Sequence, residues 1–170
     1  MRASIALAAL LTPGVAEAQD SPICTDLSNA TRILICGFGR LAESAARTLL
    51  RRGQGCAICV LEYDDMRGAA ALSLGLRLIC SPIQEALRRG GFKSVSRIIV
   101  DTGDDLETCS IITAARAAFR NTHVAAAVTA PETADLALAS GADQVVCEAQ
   151  VAGLLLAASA CRSISREVHH

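Results

Sequence analysis

The chain has 170 residues, of which 52% are hydrophobic, 2% aromatic and 19% charged, and its formal net charge is -1. That length fits one domain of ordinary size, and the apolar share excludes a disordered chain. The balanced charge argues against a nucleic-acid partner, which would need clustered Lys and Arg against phosphates. With no Trp, one Tyr and three Phe, there is also no platform for stacking bases.

Met1–Gln19 (MRASIALAALLTPGVAEAQ) has a basic start, a short apolar stretch and Ala16-Glu17-Ala18, the outline of a secretory signal with a small-x-small cleavage site. Its apolar run from Ala3 to Leu11 is far below the roughly 20 residues that span a bilayer. Asp20–Thr31 is polar and reads as a linker, so residues 1–30 are expected to lie outside the fold. The folded body then begins sharply. Arg32–Cys36 (RILIC) is a short β-branched run bounded by glycine and predicts a buried strand. Leu41–Arg52 follows as a helix stopped by Gly53, and Ala57–Glu62 as a second strand. Asp65–Ser73 is a helix, Arg77–Cys80 a third strand, and Pro82–Arg89 a short helix with Pro in its first turn.

Ser96–Asp101 (SRIIVD) predicts a fourth strand. The helix Asp104–Phe119 has acids at its start and Arg116 near its end, which complements its dipole. His123–Val128, Pro131–Ser140 and Asp143–Cys147 continue as strand, helix, strand, and Val151–Ile164 is a last apolar helix. Six alternations predict an α/β fold, a Rossmann-like doubly wound parallel six-stranded sheet with a C-terminal crossover helix. The fold is expected over residues 31–164, with 165–170 as a tail whose His169-His170 resembles a tag remnant.

Gly37-Phe38-Gly39-Arg40-Leu41-Ala42 is G-x-G-x-x-A between a strand and a helix. Gly37 permits a tight turn, Gly39 lets backbone approach a pyrophosphate, and Ala42 allows close helix–strand packing. Glu62 ends the second strand, where an acid meets a ribose hydroxyl. Gly37, Gly39, Ala42 and Glu62 are therefore the candidate cofactor-binding residues. The same glycines can equally serve backbone geometry alone. Asp101, Asp104, Asp105 and Glu107 gather at the carboxyl end of a central strand, where α/β folds bind ligands. Asp101 and Asp104 are candidate cation ligands, and the competing reading is capping of the following helix.

The eight Cys fall mostly in apolar runs and read as reduced core thiols rather than disulfide staples. Cys56 and Cys59 have C-x-x-C spacing, but residues three apart on a strand face opposite ways, which disfavours a shared metal. His123 is the one His outside the tail, and no nucleophile–His constellation suggests catalysis. The last helix is apolar nearly all round and needs a cover, for which a second subunit in a symmetric homodimer is the expectation.

Three segments resemble the regulator-of-conductance-of-potassium (RCK), or TrkA-N, domain family. They are RILICGFGRLAESAARTLL, VSRIIVDTGDDLETCSIITAARAAF and APETADLALASGADQVVCEAQVAGLLLA, within a body from about Thr31 to Ser159. The last segment is the most family-specific. The resemblance implies a non-enzymatic regulatory domain on the cytoplasmic side of a potassium channel or uptake system. Such domains pair and assemble into a ring, an octamer in a full channel, that acts on the membrane pore domain. Its implied ligands are NAD(H), an adenine nucleotide or a divalent cation such as Ca²⁺. A cytoplasmic location conflicts with the signal-like start.

The chain also departs from the family. Cys80-Ser81-Pro82-Ile83 replaces the Gly-Asp-Ala/Pro-Thr of nucleotide-binding members, and Ala127 stands where they carry Arg. Asp101 matches an Asp of the Ca²⁺-gated channels, whose two Glu positions read Ala127 and Thr129. The alternative reading is the cofactor domain of an NAD(P)-dependent oxidoreductase, although little chain follows the sixth strand to form a substrate domain.

Overall fold

The computed structural model describes residues 32–55, 58–92 and 95–167. The signal-like and linker segments, Cys56 of the C-x-x-C pair and the terminal histidines lie outside the described residues. Six strands alternate with six helices in the order β1 (Arg32–Cys36), α1 (Arg40–Arg51), β2 (Ile58–Glu62), α2 (Asp65–Ser73), β3 (Arg77–Cys80), α3 (Ile83–Arg89), β4 (Val95–Val100), α4 (Asp105–Ala118), β5 (His123–Val128), α5 (Pro131–Ala139), β6 (Gln144–Cys147) and α6 (Glu148–Glu167).

All pairings are parallel, in the strand order β3-β2-β1-β4-β5-β6. This is the expected doubly wound sheet, with its direction of winding reversed between β1 and β4. The crevice above their carboxyl ends is where such sheets bind ligands. Alternation of side chains along each strand divides the core between the two faces of the sheet. Ile33, Ile35, Ile58 and Val60 face α1 and α2, while Leu34, Cys36, Leu61, Ile98 and Val100 face α3, α4 and α5.

The helix ends follow local chemistry. Asp64 and Asp104 are the N-caps of α2 and α4, accepting from Arg67 N at 2.9 Å and Glu107 N at 2.8 Å. Pro82 is the N-cap of α3, one position before the expected first turn. Helix α6 differs more from its expected start. It begins at Glu148, directly after β6, with no connecting loop before Val151.

The ten residues 151–160 of α6 are all exposed. Leu154 and Leu156 are 71% and 72% accessible, and Val151 and Leu155 are also exposed. Consecutive leucines point in different directions around a helix. Their joint exposure means that α6 projects from the domain instead of covering its own sheet.

Candidate functional site

The G-x-G turn is stitched to the ends of both neighbouring strands. Gly37 N donates to Leu61 O at 2.9 Å, Gly39 N donates to Asp101 O at 2.9 Å, and Asp101 N donates to Cys36 O at 3.0 Å. Gly37 has φ of +81°, and a Cβ there would lie 2.8 Å from Thr102 Cα. Both conformation and space therefore require glycine at this position. Gly39 has φ of -69°, which any residue adopts. Its constraint is space alone, and the occupant of that space is the Asp101 carboxylate, since a Cβ on Gly39 would lie 2.6 Å from Oδ2.

Asp101 is 6% exposed, and its Oδ2 accepts from Ala42 N at 2.7 Å. Ala42 is the third residue of α1, and Gly39, the N-cap, has no side chain to offer it. A carboxylate from β4, 59 positions away in sequence, thus caps α1 from outside and sits at its positive dipole end.

Glu62 is 1% exposed. Oε2 accepts from Phe38 N at 2.8 Å, and Oε1 accepts from Tyr63 N and Asp64 N at 2.8 and 2.9 Å. The Arg67 guanidinium pairs with Oε2 at 3.4 Å and also donates to Thr102 O, tying β2 to the loop after β4. The acid predicted to face a ribose is thus buried, with both oxygens engaged inside the chain.

The two predicted cation ligands do not converge. Asp104 turns its Oδ1 to Glu107 N, whereas Asp101 turns to α1. Asp105, on the first turn of α4, accepts from Thr129 N at 2.8 Å and Ala130 N at 2.9 Å, holding the end of β5. Burial opposes ionisation of Asp105, but these backbone donors and nearby threonine hydroxyls outweigh it and hold its carboxyl below the usual range. Sequence reasoning gave Asp105 no separate role, because its partners are 24 and 25 positions away. Among the described residues no group of three His, Cys, Asp or Glu is placed to hold a metal ion.

A cleft of about 240 Å³ opens at the carboxyl ends of β4 and β5, lined by Arg40, Asp101, Asp105, Thr129 and Glu148, among others. Small-molecule sites usually occupy roughly 300–1,000 Å³. Ser81 Oγ, just after the edge strand β3 and separated from β4 by β2 and β1, is buried with no hydrogen-bond partner among the described residues. A dinucleotide therefore meets a poor fit: a small cleft, a filled space at Gly39 and an inward-facing Glu62.

Among the described thiols, Cys36, Cys109 and Cys147 are buried and Cys59 is half-buried, whereas Cys80 is exposed and departs from the core reading. Burial raises Cys36, Cys59 and Cys109 above the usual thiol range. His123 Nδ1 lies 3.5 Å from Asp143 Oδ2, at the amino end of β5 and away from the cleft.

The TrkA-N domain family model matches residues 33–148. No curated protein sequence matches the chain. Among solved structures, the chain is similar to the RCK domain of GsuK, with 26% identity and a TM-score of 0.64 over 74% of this chain and 27% of that one. The GsuK channel bound to NAD gives 25% identity and a TM-score of 0.62 over 76% of this chain and 23% of that one. The chain therefore spans only about a quarter of these GsuK structures. The TrkA-N domain of the inner membrane protein ybaL from Escherichia coli shares the fold, at 20% identity and a TM-score of 0.63, over 76% of this chain and 97% of that one. No described helix of this chain is long and apolar enough to cross a membrane.

Proposed function

The chain belongs to the TrkA-N domain family, and on that premise we propose that it is a non-enzymatic, ligand-sensing regulatory domain of a potassium channel or potassium-uptake system. The observation that carries this reading is the way α6 leaves the sheet. Its exposed Val151, Leu154, Leu155 and Leu156 form an apolar surface that the chain's own core does not cover. A second copy, related by a twofold axis, is the cover we propose. Pairs of such domains would assemble into a ring, an octamer in a complete channel, at the cytoplasmic face of a membrane pore domain. The domain itself spans residues 31–164 in this reading.

The cleft and the helix share a residue. Glu148 lines the cleft and is also the first residue of α6. Asp105, opposite, fixes the end of β5 through Thr129 and Ala130. A ligand seated there touches the root of the helix that carries the subunit contact. It shifts the arrangement of the pair to the extent that it binds one arrangement better than the other. The similarity to GsuK, one of whose structures holds NAD, supports a small-molecule or ionic signal. The carboxylates of Asp101, Asp105 and Glu148 give the cleft a cation-attracting side, and Arg40 gives it an anion-attracting one.

The test is sedimentation velocity of the purified chain with and without NADH, ADP, AMP, Ca²⁺ and Mg²⁺, beside a steady-state hydride-transfer assay. The reading expects a ligand-dependent change in association and no turnover. Sustained turnover would place the chain among NAD(P)-dependent oxidoreductases instead.

A further inference from the structure

We infer that Asp101 is a built-in occupant of the pyrophosphate seat, so that this domain, although it keeps the G-x-G-x-x-A turn, discriminates against ligands with a bridging diphosphate. Two carboxylates, Asp101 and Glu62, carry the inference. The Asp101 carboxylate takes the Ala42 N–H at the third position of α1. The same carboxylate fills the space left by the missing Gly39 side chain, which is the approach a pyrophosphate needs. Glu62 takes the Phe38 N–H and spends its remaining acceptor positions on Tyr63, Asp64 and Arg67.

Of the amides from Gly37 to Ala42, those of Gly37, Phe38, Gly39 and Ala42 thus donate inside the chain. The Arg40 and Leu41 amides are left at the open end of α1. A phosphate reaching them approaches a buried carboxylate of like charge at short range, where repulsion in a poorly solvated site is strong. The glycines of the turn are therefore explained by the β4 end that they pack against, with no cofactor required. This holds whether or not the domain regulates a pore, and subunit association through α6 does not depend on it.

Removing the charge should open the seat. Asp101→Asn keeps the shape and neutralises the repulsion, while Asp101→Gly also empties the space beside Gly39. The experiment titrates the ¹⁵N-labelled full chain with ADP, NAD and inorganic pyrophosphate, reading the Phe38, Gly39 and Ala42 amide resonances and the heat of binding. Wild type is expected to show no shift of these amides at millimolar ligand. The variants should bind ADP at least tenfold more tightly than wild type, with shifts centred on the turn. Micromolar binding of any of the three ligands to these amides in wild type would overturn the inference. So would variants that remain folded, with dispersed amide spectra, and bind no better than wild type. Because Asp101→Asn is nearly isosteric, it preserves the test if the glycine variant fails to fold.

Discussion

Replacing Gly39 by Ala puts the role of the Asp101 carboxylate into numbers. The backbone at φ -69° accepts Ala without strain, so a conformational argument alone predicts a gain of about 0.4–1 kcal/mol from a stiffer unfolded chain. The structure predicts the opposite sign. The new Cβ would lie 2.6 Å from Asp101 Oδ2, and Asp101 can retreat only by giving up its 2.7 Å hydrogen bond to Ala42 N. A hydrogen bond to a charged group contributes about 1.5–3 kcal/mol, and a buried carboxylate left without it loses its compensation for desolvation. The net expectation is a loss of about 2 kcal/mol, measured as a fall in the urea midpoint at unchanged m. The same substitution in an Asp101→Ala background should cost less than about 0.5 kcal/mol, because the space is already clear. The coupling between the two sites is then at least about 1 kcal/mol. If Gly39→Ala costs the same in both backgrounds, the carboxylate does not occupy that space.

Other substitutions and conditions probe the neighbouring contacts. Glu62→Gln replaces an acceptor by an NH₂ group that must face either Phe38 N–H or the N–H groups of Tyr63 and Asp64, and it leaves Arg67 without its buried partner. Urea unfolding should show a loss of about 2–3 kcal/mol. Asp143 is held below the usual carboxylate range by the Val124 N–H and by Arg116. Because its folded value is the lower one, its contribution is present above the unfolded value of about 3.9 and is lost as pH falls through the folded value. Asp143→Asn should therefore flatten the acid limb of stability against pH, below about pH 4, in thermal melts. Cys80 is exposed, whereas Cys36 is fully buried with its thiol pushed up. A thiol reagent at pH 8 should label Cys80 in the native state and reach Cys36 only when the chain unfolds.

The order of elements was legible because most strands are short apolar runs closed by glycine or an acid, and helices α1 to α5 each carry a start or stop signal. The capping of α4 by Asp104 was equally local, since the carboxylate and the Glu107 N–H that donates to it are three residues apart. What the pattern could not display was which distant group each carboxylate answers. Asp101 meets Ala42 across 59 positions, and Glu62 meets Phe38 across 24. Nothing in VDTGDD distinguishes a carboxylate aimed at a ligand from one aimed at the next helix. The turn glycines were correctly located, but their neighbours could be identified only once β4 was placed beside β1. The start of α6 was also hidden, because Glu148-Ala149-Gln150 offers no capping residue to mark a boundary after β6.

Exposed apolar helices are costly unless they are covered, and the whole regulatory account depends on what covers α6. Sedimentation equilibrium of the chain beside a Leu154→Glu/Leu155→Glu variant tests this directly. Leu154 and Leu155 are 71% and 60% exposed, so the variant should stay folded, losing only the stabilisation that association gives wild type. The account predicts a dimer or larger assembly for wild type and a folded monomer for the variant. A wild type that stays monomeric at high concentration, or a variant that associates as strongly as wild type, would contradict it.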